Sequence, residues 1–239
     1  FMSEVGMDGD EKTCLPFGQV CFRDRFLSLL IFIIALLIAG PLIEEFVHLR
    51  IFVDILWSAV FISAIYAVSH KKHHIIIALL LALPMLGALW SRHFVGHHPL
   101  QVVGYLCGVA FFLFAIIRML IFIYSHKEVT RDLIIGAAVV YLLMAIMWTF
   151  IFIVVETLHP GSFNLPEGQN IEAGEHFIYF SFVTLTTLGY GDITPVTRLA
   201  RNLCTLEAVI GQLYLVVQVA WLVGVHVSQS MLKKTGRDE

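Results

Sequence analysis

Apolar runs of roughly 20 residues are what a helix needs to cross a hydrocarbon core of about 30 Å, and this chain repeats them. Phe26–Ile43 carries no charge and stops at Glu44 and Glu45. Ile51–Ser69 is apolar apart from Asp54 near its start. Ile75–Ser91 is shorter and contains Pro84, so a tilt or kink is expected there. Leu100–Ser125 is interrupted once, by Arg118; Leu133–Val155 is cleanly apolar; Leu199–Leu232 carries Arg201 and Glu207 near its start. The pattern predicts six spans. Between the fifth and sixth lies a different stretch, opened by the turn-rich Glu156-Thr-Leu-His-Pro-Gly161. Glu175–Thr186 is apolar and aromatic but too short to cross, which predicts a re-entrant helix. Irregular backbone at membrane depth persists only inside protein or beside a wet cavity. The carbonyls of residues 187–192 therefore need something to bind.

Composition sharpens the membrane reading. The 239 residues are 59% hydrophobic and 14% charged, with a mean hydropathy of +0.86. A soluble domain is about half apolar and about a quarter charged. A net charge of −3 and the lack of a basic block point away from nucleic acid. Residues 1–25 are acidic and mixed, unlike a basic leader, and the segment from Leu15 to Phe26 suits a membrane-surface helix or a disordered tail. Lys and Arg in short loops set orientation. With the N-terminus inside, the inner segments hold Lys12, Arg23, Arg25, Lys71, Lys72, Lys127, Arg131, Lys233, Lys234 and Arg237. The outer ones hold only Arg50, Arg92, Arg198 and Arg201. Both termini are then expected in the cytoplasm and the re-entrant loop outside. Cys14 and Cys21 fall on the reducing side and are expected free, while Cys107 and Cys204 sit in apolar runs as packing residues. No segment reads as a nucleotide-binding or other soluble domain.

The chemistry lies in Thr186-Thr187-Leu188-Gly189-Tyr190-Gly191-Asp192. A filter that strips water from a cation needs rings of carbonyl oxygens. Gly189 and Gly191 give the backbone freedom to aim successive carbonyls at one axis. Thr187 can add a hydroxyl ring at the inner end, and Tyr190 can point away from the axis and pack behind as a strut. One chain supplies one strand, so four are needed to surround an ion. Tyr179-Phe-Ser-Phe-Val-Thr-Leu-Thr-Thr-Leu-Gly-Tyr-Gly-Asp-Ile-Thr-Pro195, followed by Leu206-Glu-Ala-Val-Ile-Gly-Gln-Leu-Tyr214, resembles the pore module of the prokaryotic potassium channel family. The resemblance covers residues 175–229; the first four helices resemble that family's peripheral domain only in number and order.

The resemblance implies an all-α membrane protein with six transmembrane helices, a re-entrant pore helix and a selectivity filter, assembled as a homotetramer in the plasma membrane of a bacterium or archaeon. It implies passive conduction of K+ with Thr187, Leu188, Gly189, Tyr190 and Gly191 as filter, no cofactor beyond the permeant ion, and lipids and sister subunits as partners. The expected organisation is an N-terminal segment 1–25, a four-helix peripheral domain 26–126, a pore domain 127–232 with pore helix and filter at 175–192, and a tail 233–239. Leu188 stands where the family usually has Val, which puts conductance and inactivation in question. Val183 stands where some members have Glu. Tyr179 replaces a frequent Trp and is expected to bond Asp192; the alternative is that it only packs. Thr186, Asp192, Tyr179 and Glu207 are the expected filter supports.

Gly211 falls where the family bends its pore-lining helix, although close helix packing uses glycine equally. Val223, Val227 and Ser230 are candidates for an inner constriction. His226 beside them is a candidate pH sensor, since free histidine titrates near ~6.5; a histidine facing the fifth helix or the interface is the plainer reading. Arg118 alone is not the arginine array of a voltage sensor, where about 3–4 gating charges move per subunit. Weak or absent voltage dependence is expected, with Arg118 as an anchor at the inner interface or a partner of Asp24. His70, His73 and His74 in one loop and His93, His97 and His98 in another raise a metal-dependent membrane protein as a rival. The two groups fall on opposite membrane faces, without Glu or Cys at catalytic spacing, and an enzyme is not expected. A non-conducting or weakly selective cation channel subunit is the nearer rival.

Overall fold

The computed structural model describes residues 25–43, 50–68, 72–91, 99–126, 129–165 and 175–235. Among the described residues seven helices and two short strands run in the order α1 (Arg25–Ile43), α2 (Arg50–Val68), α3 (Lys72–Ser91), α4 (Pro99–Ser125), α5 (Arg131–Leu158), β1 (Phe163–Asn164), α6 (Glu175–Leu185), β2 (Thr194–Pro195) and α7 (Arg198–Thr235). Each apolar run became a helix because a backbone without water must bond to itself. Among the described residues five helices are long and apolar enough to cross a membrane: Ile51–Val68, His73–Trp90, Gln101–Ser125, Arg131–Leu158 and Arg198–Gln229. The span expected at Phe26–Ile43 is α1, whose apolar stretch among the described residues is the shorter Arg25–Ala39. Asp24, Glu44, Glu45, Cys14, Cys21, His70, His93, His97 and His98 lie outside the described residues.

The α5 helix is the hub. Thr130 caps its start, with Thr130 Oγ1 accepting from the Leu133 amide at 3.4 Å. Helices α1 and α4 pack against it from the peripheral side, and α6 and α7 from the other. One continuous core results, from Phe26, Leu29 and Ile33 through Phe61, Phe111 and Phe112 to Val140, Leu143, Phe150 and Leu185. The boundary expected at 126/127 falls between α4 and α5, and the core spans both helices. Helix α3 is continuous through Pro84. It meets α4 closely at Gly104 and Gly108, a small-xxx-small pair. A Cβ on Gly104 would collide with the Ala88 Cβ and lie 3.2 Å from the Pro84 carbonyl, and one on Gly108 would lie 3.0 Å from Met85 Sδ.

A second, aromatic core gathers around the C-terminal half of α5. Phe152, Phe163, Phe177 and Phe180 meet edge to face at 5.2–5.5 Å, with Trp148, Ile193, Ala200 and Cys204 around them. The strands β1 and β2 pair antiparallel, Phe163 opposite Pro195 and Asn164 opposite Thr194. This clip ties the segment after residue 192 to the C-terminal end of α5.

Candidate functional site

Helix α6 is fixed at both ends by its own chain. Near its start Phe177 and Phe180 enter the aromatic core, and Thr149 Oγ1 of α5 reaches the Phe177 carbonyl at 3.4 Å. At its end the Leu185 carbonyl accepts from the Tyr141 hydroxyl at 3.1 Å. The buried Leu185 side chain packs on Gly211 of α7, where an added Cβ would stand 2.6 Å from Leu185 Cδ1 and 3.0 Å from the Leu185 oxygen. Gly211 is thus a close-approach glycine in a helix that runs unbroken through it, whereas a Cβ on Gly224 would meet nothing within 4 Å. Rings of Tyr141 and Tyr214 stack at 6.1 Å, and Tyr214 donates to the Ala137 carbonyl at 2.7 Å.

The helix ends in a left-handed cap. The Leu188 amide donates to the Val183 carbonyl at 2.9 Å and the Thr187 amide to the Thr184 carbonyl at 3.0 Å. That pair of bonds is the Schellman arrangement, with Thr187 at the position usually held by glycine. Thr187 has φ 59°, Gly189 φ 57° and Gly191 φ 81°, while Leu188 and Tyr190 stay on the ordinary side. Left- and right-handed backbone therefore alternate from 187 to 191. The alternation turns each successive peptide, so that neighbouring carbonyls can face one side instead of opposite sides as in a strand. Only conformation demands glycine at 189 and 191, because an added Cβ at either would meet nothing within 4 Å in the subunit. Leu188 and Tyr190 are 55% and 68% exposed in the single subunit. The backing expected for Tyr190 therefore does not come from its own chain.

The Asp192 end of this segment and the loop beside it are braced by five hydrogen bonds. The Tyr179 hydroxyl donates to Asp192 Oδ2 at 2.7 Å, and the Ile193 amide donates to Asp192 Oδ1 at 3.0 Å. The bond from Tyr179, helped by the Ile193 amide, holds the Asp192 carboxyl below the usual carboxylate range. Glu156, buried at the end of α5, accepts from the Gly161 amide at 2.7 Å and the Phe163 amide at 3.1 Å. The Val196 amide donates to the Ser162 carbonyl at 2.8 Å. Glu156 stands in the sequence only as the first residue of a turn, since its partners are amides the loop brings round. The Thr187 end faces Gln212 of α7, whose Nε2 lies 3.5 Å from Thr187 Oγ1. Thr186 Oγ1 turns back to the Phe182 carbonyl at 2.7 Å. Glu207 is fully buried beside Ser181 of α6.

The other candidates are spread along the chain. Val223, His226, Val227 and Ser230 follow one another at helical spacing near the C-terminal end of α7. Val223, His226 and Val227 are exposed in the subunit. Arg118 lies partly buried on α4 beside a small cavity lined by Phe26, Ala67, Val68, Met119 and Phe122. Arg25, at the start of α1, stacks 4.4 Å over Phe122 and 4.7 Å over Phe26. His73 and His74 touch edge to face at 4.0 Å. Among the described residues no three His, Cys, Asp or Glu side chains gather as a metal site.

Among curated proteins none matches this chain. Residues 128–226 match a protein-family model described as ion channel. That match takes in α5, α6, the 187–191 segment and most of α7, and with the five long apolar helices it makes this stretch the ion-channel domain of a membrane-embedded protein.

Proposed function

We propose that four copies of this chain assemble around one axis and conduct K+ passively, with Thr187, Leu188, Gly189, Tyr190 and Gly191 as the selectivity filter. The observation that carries this reading is the alternation of backbone hand from Thr187 to Gly191 directly after a capped re-entrant helix. An ion entering from water gives up its shell, and rings of carbonyl oxygens at successive levels replace it. Helix α6 ends at Leu185, directly before the filter, so the dipole at its C-terminal end favours a cation there. Thr187 hydroxyls and Gln212 amides line the inner approach. Leu188 offers its carbonyl like its neighbours, and its side chain stands behind the filter.

Exposure supports the tetramer. In the subunit 61% of an 18-residue apolar stretch of α5 is buried, against 11% of the corresponding stretch of α7. Helix α7 holds its own chain through one stripe, Cys204, Glu207, Gly211 and Gln218. Leu213, Val216, Val219 and Val223 are left open for the pore and for sister subunits. Lipids and sister subunits are the partners in this reading, and both termini face the cytoplasm of the cell membrane.

Purified protein in liposomes tests it, with K+ and Na+ efflux run in parallel and barium as blocker. Barium-sensitive K+ efflux with little Na+ efflux is expected. Equal Na+ efflux would mean that Leu188 has opened the filter and would leave a weakly selective cation channel.

A further inference from the structure

Three helices of the ion-channel domain meet at one buried polar chain. Glu207 of α7 and Ser181 of α6 are both 0% exposed in the isolated subunit. Their surroundings are therefore complete within one chain, whatever assembles around it. Ser181 Oγ lies 2.5 Å from Glu207 Oε1 and 2.7 Å from the Ala145 carbonyl oxygen of α5. Two contacts of this length require two protons, and a serine hydroxyl has one. The carbonyl has none to give. If the serine proton points to Ala145, the proton between Ser181 and Glu207 belongs to the carboxyl. If it points to Glu207, two oxygens face each other at 2.7 Å with nothing between them. The second carboxyl oxygen, Oε2, is buried without a hydrogen-bond partner. The titratable groups beside it are Tyr141 of α5 and Cys204 of its own helix. Among the described residues no cation pairs with it. An ionised carboxylate left so would carry a heavy desolvation cost, which a neutral acid largely avoids.

We infer that Glu207 is carried as a protonated acid that donates to Ser181, which in turn donates to the Ala145 carbonyl, so that Glu207 positions the pore helix as a neutral donor. The inference rests on the conduction reading for its consequence, since Ser181 lies in the helix that presents Thr187. It makes Glu207 a positioning residue that touches no ion.

The infrared difference between wild-type tetramers and Glu207→Gln at neutral pH tests the proton directly. The expected difference is a C=O stretching band of a hydrogen-bonded carboxylic acid, lost in the variant. Loss of the paired carboxylate bands instead would overturn the inference. Should Glu207→Gln fail to assemble, Ser181→Ala keeps the acid and removes its acceptor. The acid band should then move, and an unmoved band would count against the contact. In liposomes Glu207→Gln, whose amide can donate to Ser181, should keep K+ efflux within about twofold, and Glu207→Ala should lose about tenfold. Equal efflux in the two would remove the positioning role. The infrared reading needs no ion flow, so a protein that does not conduct K+ would still show the band.

Discussion

Thr187 is a branched residue held at φ 59°, a conformation that typically costs about 1–3 kcal/mol and persists where surrounding structure fixes it. Two amide bonds to the end of α6 fix it here. Glycine at 187 would relieve that strain and remove the hydroxyl, so Thr187→Gly should stabilise the assembled protein slightly while weakening K+ over Na+ preference; thermal unfolding and paired efflux read the two effects. Gly191→Ala should do the opposite of relief. At φ 81° an alanine costs about 1–2 kcal/mol per subunit, repeated in each copy, and K+ selectivity should be lost. Asp192 supplies a pH test at this scale. Its carboxyl is held below the ordinary range by Tyr179, so the brace is complete at neutral pH and is lost as the external pH falls through that lowered value. Tyr179→Phe removes the donor, and the acid-side loss of K+ current should move to higher pH, a shift read from current against external pH. The glycines and Tyr179 were legible in the sequence because their chemistry is local or one helix away. The left-handed Thr187 was not, since threonine gives no sign of positive φ until the cap around it is built.

Helices, by contrast, were legible almost to their ends. The stretch Glu175–Thr186 becomes α6 at Glu175–Leu185, because its length excludes a crossing and its aromatic residues demand a core. Glu156 and Ser181 were harder to see: each acts on a backbone group or an acid brought near by the fold. The pair Gly104 and Gly108 was present as a pattern yet unread, because small residues in a membrane helix gain meaning only from the neighbour they admit. Gly104→Leu should drive α3 from α4 and destabilise the protein by about 1–3 kcal/mol, measured as a lower melting temperature in detergent. Gly211→Ala addresses the junction of α6 and α7. Its Cβ would push on Leu185, whose carbonyl Tyr141 holds, so the variant should reduce K+ efflux even if Gly211 never bends.

At the scale of the whole molecule, the peripheral helices share a core with their own chain's α5, and residues 126–130 alone separate α4 from it. So short a link favours peripheral helices that stay with their own subunit. Four copies of Arg118 crossing the full field would supply roughly 9 kcal/mol per 100 mV. Arg118 lies toward the C-terminal end of α4, so the working value is smaller, and open probability should change little between about −100 and +100 mV, which brackets the range of membrane potentials. The order of the apolar helices was readable from hydropathy, whereas six spans were expected and five of the described helices are long and apolar enough to cross. The shared core was not, because it depends on which faces meet. Conduction through a potassium filter is tested most directly by the reversal potential in a planar bilayer with K+ on one side and Na+ on the other. A reversal potential displaced far in the direction set by K+ is expected, with barium block of the current. A reversal near zero would contradict it, because a filter that passes both ions alike is not the potassium filter inferred from Thr187 to Gly191.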